Sequence, residues 1–349
     1  MRMSYRVYSY VLAACAALAS ISGAMCQGAG AVGPYAVTAS WSIGGGGGWD
    51  YLRVDPDMRV LYVTHGSEVV VLDLASGKVL ATISELKRAH DIALEPGSKV
   101  GFISDGDANA VVVFDRKTYR KLGSIPTGKN PDGMVYEPTT KTVWAFDGHS
   151  NDVTVIDAES QRVVATTKVP GKPEYPQADG KGAVFVNIED KNSLLRIDAK
   201  SHTITAEWKL AGCESPSGLA MDTTHWRLYS VCDGKVMAAT DADSGKVLKL
   251  VPIGDGPDAA RYDPVNQVVF SSNEDGTLTV VDTKNDAFRI IQTVKTKKSG
   301  RTMAFDEKTG RAFVVVADFG PKPAPTAANP NPRLPALAGT FKVLVVSRK

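Results

Sequence analysis

Histidine and cysteine are scarce in this chain, with five His and four Cys in 349 residues. The five His are scattered from His65 to His225, which excludes a multi-histidine metal cluster. No CxxC, CxxCH, HExxH, GxSxG or Walker A spacing occurs, so the common signatures of redox, haem, zinc-protease, serine-hydrolase and nucleotide chemistry are missing. Charge of one sign is lacking too. Forty Lys and Arg against 38 Asp and Glu leave +2, and a nucleic-acid specialist would carry a strong basic excess. No segment holds a sustained helical period. Beyond the N-terminus no run of about 18 apolar residues exists, so no membrane-spanning segment is expected in the mature chain. What the chain does have is 43 % hydrophobic residues with 32 Gly and 19 Pro, the composition of a turn-rich globular protein.

The N-terminus reads as a secretory signal over residues 1–26. Arg2 and Arg6 form a basic start, residues 11–21 are apolar, and Ser22, Gly23 and Ala24 supply small residues for cleavage somewhere in 24–31. The expected location is periplasmic or secreted. A lipid anchor at Cys26 is disfavoured by Met25 before it. Cleavage removes Cys15 and places Cys26 at or before the cut. Cys213 and Cys232, 19 residues apart, are then expected to form a disulfide, with a pair of metal or redox thiols as the alternative.

Two registers repeat with one period. An aromatic recurs at Tyr62, Phe102, Trp144, Phe185, Tyr229, Phe270 and Phe313, in steps of 40 to 44 residues. A hydrophobic strand ending in Asp recurs at Asp73, Asp115, Asp157, Asp198, Asp241 and Asp282, in steps of 41 to 43. Each unit reads as four short strands with a tight turn between the last two, as in ASGK at 75–78. The spacing predicts an all-β, seven-bladed β-propeller over residues 35–349 as a single domain. The last unit lacks a fourth strand, and residues 36–43 form a strand with no blade before it. The N-terminal strand is therefore expected to complete blade seven and close the ring. The Asp residues that end the third strands are assigned to turn capping.

Units such as TGKNPDGMVYEPTTKTVWAF and NDVTVIDAESQRVVATTKVPG resemble the YVTN-type β-propeller repeat family, YncE-like. The resemblance spans essentially the whole mature chain. It implies an exported bacterial propeller and a binding or scaffolding role more readily than any one reaction.

Aligning the first strands on their terminal acidic residues places Asp50, His90, Asp132, Glu174, Ser217, Asp258 and Arg301 in one register, five residues earlier. These are expected to ring the top mouth of the central channel and to be candidate ligand-binding residues. Asp50, His90, Asp132, Glu174 and Asp258 together form a candidate oxygen-rich set for Ca²⁺, Mg²⁺ or Mn²⁺. The same carboxylates beside Arg301 would alternatively carry perturbed pKa values suited to acid/base work. His65 opens a second register of top-face loops and, with Trp49, joins the candidate ligand-binding residues. Five glycines, 44–48, precede Trp49 and Asp50, and read either as an anion-binding nest or as a flexible joint. Residues 318–340 hold six Pro between 321 and 335 and are expected to lie over the top face as a lid. The reading is a monomeric binding module for a small molecule or an envelope protein. A metal-dependent lactonase-like or esterase-like hydrolase is the alternative.

Overall fold

The computed structural model describes residues 33–326, 330, 332 and 334–349. The expected signal segment, its cleavage region and Cys26 lie outside the described residues. Twenty-eight strands pair into seven antiparallel four-stranded sheets. The innermost strands touch their neighbours in order, and the last touches the first, so the sheets form a ring of seven blades. Six blades are built from consecutive strands. Blade one runs Leu52–Asp55, Val60–His65, Glu68–Asp73 and Val79–Ile83 from the axis outward. Blade seven takes Met303–Asp306, Arg311–Val316 and Lys342–Arg348, and Tyr35–Ser42 pairs on its outside as the fourth strand. Two single-turn 3-10 helices are the only helices among the described residues, and neither is long enough to cross a membrane.

The repeat residues account for this architecture. All seven register aromatics are fully buried. The core divides into seven apolar clusters, one at each interface between adjacent blades. Phe313 packs with Leu52 and Leu61 between blades seven and one, and Tyr62 with Phe114 between one and two. Burial of each such side chain contributes about 1.5–3 kcal/mol. The third-strand aspartates cap the following turn: Asp73, Asp115, Asp157, Asp198 and Asp241 each accept a backbone N–H and a hydroxyl from the Ser or Thr three residues on. The register shifts between third and fourth strands in blades one to six, and the closing strand shifts likewise between Val37 and Ala39. A bulge in every outermost strand discourages further pairing at the exposed edges.

Candidate functional site

The ring residues stand at the start of the inner strands, and the neighbouring blade fixes their backbone. Buried hydroxyls and one amide from second and inner strands donate to carbonyls on the next inner strand. Ser104 donates to Asp132 (2.7 Å), Asn187 to Ser217 (2.9 Å), Ser217 to Pro257 (3.1 Å), Ser272 to Arg301 (2.5 Å) and Thr302 to Asp50 (2.8 Å). Ser217 is therefore engaged in this support through its hydroxyl. Gly133 and Gly218, one position after Asp132 and Ser217, let inner strands approach closely. A Cβ on Gly218 would stand 2.6 Å from Ala259 Cα, and one on Gly133 would stand 2.9 Å from the Glu174 carbonyl oxygen.

All seven ring residues line one cavity of about 1120 Å³. Eight carboxylates face it (Asp50, Asp107, Asp132, Glu174, Glu189, Asp233, Asp258, Glu274) against five Lys and Arg (Lys87, Arg88, Lys172, Arg301, Lys322). The cavity is a blind cup. Beneath it Tyr51 of blade one and Tyr175 of blade four bring their rings to 4.6 Å across the channel. The Tyr175 hydroxyl accepts from Arg53 and Arg261, both at 2.9 Å, and Arg53 pairs with buried Asp91 at 3.0 Å. None of Tyr175, Arg53, Arg261 and Asp91 lines the cup.

Inside the cup, four carboxylates (Asp258, Glu174, Glu189 and Asp50) have close cationic partners. Arg301 pairs with Asp258. Lys172 pairs with Glu174 at 2.7 Å and with Glu189. His90 Nδ1 lies 2.6 Å from Asp50 Oδ2 and 3.7 Å from Asp132 Oδ1. Burial favours neutral His90, but the Asp132 charge and the hydrogen bond to Asp50 outweigh it and push the imidazole up to about 9. Burial also raises Asp258, to about 6 despite Arg301, and raises Asp132 and Glu174. Tyr51 is held well above the usual phenol range by burial and by the charges of Asp258, Glu174, Asp132 and Asp50.

Of the five candidate metal residues, Asp50, His90 and Asp132 bring one ligand atom each within 4.8 Å of one another. Glu174 and Asp258 are turned to Lys172 and Arg301 instead. Lys172 was not legible as a site residue, because it stands two positions before Glu174, outside the ring register. Tyr51 and Tyr175 stand one position after the register, at the only two positions in that next ring that carry an aromatic, and this was a usable signal.

Trp49 lines the cup with its ring stacked 6.0 Å from Phe319 and edge-on to Phe341. His65 does not line the cup. It is buried 4.2 Å from Phe341, centroid to centroid, with Nδ1 3.5 Å from Glu68 Oε1. The glycine run packs over it. Gly45, at φ +79°, lies so close that a Cβ would stand 2.3 Å from the imidazole Cε1. The run is thus a strap rather than a free joint, and its Gly45 carbonyl accepts from Gly339 N at 2.7 Å.

The Pro-rich arm leaves blade seven at this strap. Its base is clasped by a bridge between Phe319 and Ala336, with Gly320 N donating to Pro335 (2.8 Å) and Leu337 N to Asp318 (2.7 Å). Phe319, Lys322, Pro332 and Leu334 form part of the cup wall. Cys213 and Cys232 form a disulfide with Cα atoms 5.4 Å apart.

No family model matches the chain, and no curated protein matches it. Among solved structures, the chain resembles one titled "Crystal structure of RRP9 WD40 repeats" at TM-score 0.75 and 10% identity, over 90% of this chain and 99% of that one. It resembles one titled "Structure of U3-55K" at TM-score 0.71 and 9% identity, over 85% and 94%. At such identities the likeness is one of fold, and this chain is a seven-bladed β-propeller.

Proposed function

We propose that this chain is an exported, YVTN-type β-propeller that binds a small cationic ligand in the blind cup of its top face. The carrying observation is the convergence of Asp50, His90 and Asp132 in a cup where carboxylates outnumber Lys and Arg eight to five. Attraction of a cation by several carboxylates converging in a concave site is stronger than at an open surface. Export is supported by the basic, apolar and small-residue pattern of residues 2–24, and a disulfide suits an oxidising compartment. The acidic lining speaks against nucleic acid.

A divalent ion is the simplest such ligand. The two carboxylates suit Mn²⁺, Mg²⁺ or Ca²⁺, with water completing the coordination and the imidazole joining only if the ion displaces its proton. Metal analysis of the purified protein, with melting scans in chelator and in added Ca²⁺, Mg²⁺ and Mn²⁺, tests this. Stoichiometric metal or a rise in melting temperature supports it, since a ligand of the native state must stabilise it. Absence of both stoichiometric metal and any rise in melting temperature would remove the metal from the proposal. The second reading, a metal-dependent hydrolase, draws on the same triad facing a cup with room for a small ester or lactone. Turnover of such substrates that is lost in Asp132→Asn would favour it.

A further inference from the structure

We infer a second binding site, independent of the cup: the lower half of the central channel takes a small oxyanion, of the phosphate or carboxylate class, between Arg53 of blade one and Arg261 of blade six. Both guanidiniums reach across the channel to blade four, where each donates through Nη2 to the Tyr175 hydroxyl at 2.9 Å. The two nitrogens are therefore at most twice that distance apart. Both guanidinium carbons also lie over the Tyr175 ring, at 5.9 and 4.6 Å from its centroid. Like charges held this close in a partly buried channel repel, and a counter-anion relieves that repulsion.

The protein itself supplies one anion for the two cations. Arg53 pairs with buried Asp91, the only acid paired with either arginine among the described residues. Asp91 cannot serve Arg261 as well. Its Oδ1 accepts from Ile92 N at 2.7 Å and its Oδ2 from Met134 N at 3.0 Å, and Arg53 Nη2 bonds to both oxygens. The four acceptor sites of the carboxylate are thereby taken. Arg261 is left with one neutral carbonyl, that of Ala260 at 2.7 Å, beside the shared phenol.

Donors exceed acceptors at this junction. Arg53 Nη1 and Arg261 Nε make no hydrogen bond among the described residues, and the Tyr175 hydroxyl accepts twice while its own proton has no acceptor there. Such a cluster calls for an acceptor-rich ligand, and an oxyanion matches the planar fork of a guanidinium. The site lies beyond the floor of the cup. Arg53 and Arg261 stand three positions after ring residues Asp50 and Asp258, on the strand face shared with Tyr51 and Tyr175, and neither lines the cup. The other five positions in that register are Ala93, Val135, Gln177, Ala220 and Ala304, so it carries two cations and no acid. The Arg53 side chain is 27 % exposed, so solvent reaches it.

The test is isothermal titration of the mature protein with inorganic phosphate and with acetate, at fixed ionic strength so that general screening is constant. Phosphate should bind more tightly than acetate, because its further oxygens and charge engage both guanidiniums. Arg53 is the poorer target, since its loss leaves Asp91 buried without a cation. Arg261→Gln should weaken phosphate at least about tenfold, the loss of a charge-assisted contact. If Arg261→Gln fails to fold, Arg261→Lys carries the test with a smaller loss, because it keeps the charge and removes the fork. Equal phosphate affinity in the parent and the Arg261 variant would mark an adventitious ion only and overturn the inference. Binding lost in Lys172→Gln rather than in the Arg261 variant would place the anion in the cup and overturn it too, as would no phosphate binding at all. None of these results decides the cation reading of the cup, which metal analysis and melting scans test separately.

Discussion

His90 shows how a single residue's environment sets its charge. Burial opposes protonation, but Asp132 and Asp50 both approach Nδ1 and reverse the balance against the charge of Arg88. The folded-state pKa of about 9 lies above the ordinary value near 6.5. The resulting stabilisation is fully present below about pH 6.5 and is lost as pH rises through about 9. Asp258, raised to about 6, adds a loss of the same sign between about pH 4 and 6, since its carboxylate is disfavoured in the fold. Chemical denaturation from pH 6 to 10 should therefore show falling stability, with the slope above neutrality reduced in His90→Gln. A flat profile in the parent chain would contradict the paired imidazolium. The ring itself was legible from sequence, because seven inner strands share one register and a propeller turns register into position. Which carboxylates are neutralised was not legible. That depends on how far Lys172 and Arg301 reach, and side-chain reach is not written in a spacing.

The glycine strap and the Pro-rich arm behave as one element. Gly45 bonds to Gly339, and Phe341 packs against both His65 and Trp49. Gly45→Ala should destabilise by about 1–2 kcal/mol from its left-handed backbone alone, and by more from the contact with His65. Gly48→Ala has no atom within 4 Å of the new Cβ and an ordinary φ, so its thermal melt should match the parent. Equal melts for the two variants would refute the strap. The disulfide adds stability elsewhere on the ring. Closing a loop of 19 residues contributes roughly 3 kcal/mol on chain-entropy grounds. Cys213→Ser/Cys232→Ser should lose about that much in urea denaturation, and labelling of the unreduced, denatured parent should find neither thiol. The run 44–48 was ambiguous in sequence because its meaning lies in His65, whose burial beneath it is set by the second strand of blade one. The arm was more legible, since six prolines in 15 residues cannot join a sheet interior and must run over a surface.

At the scale of the molecule, ring closure is the step on which the blades depend, and the period near 42 residues made it readable. The closing strand is an ordinary fourth strand in every respect but connectivity. It pairs from Tyr35 opposite Arg348 to Ser42 opposite Lys342, and it carries the same bulge as the other outer strands. Tyr35 stacks edge-on against Phe270 of blade six and is bonded at both N and O by the Gln292 side chain, while Trp41 packs on Phe313. The strand thus ties blade seven to blade six as well as completing its own sheet. Lys349 N donates to Pro34 at 2.7 Å, so the two ends meet where the other blades have their third-to-fourth turn. A permuted chain that begins at Gly44 and carries residues 33–43 after Lys349, joined by the turn 74–78 of blade one, should fold and melt cooperatively near the parent temperature. It converts the non-local closure into a local hairpin, so it should also refold faster. Deleting residues 33–43 outright should leave Phe270 and Phe313 partly uncovered and the Lys342–Arg348 edge unpaired, giving a chain that aggregates or lacks a cooperative melt. A deletion variant that melts like the parent, by circular dichroism and with a monomeric elution profile, would show that the first and last strands do not hold the ring shut.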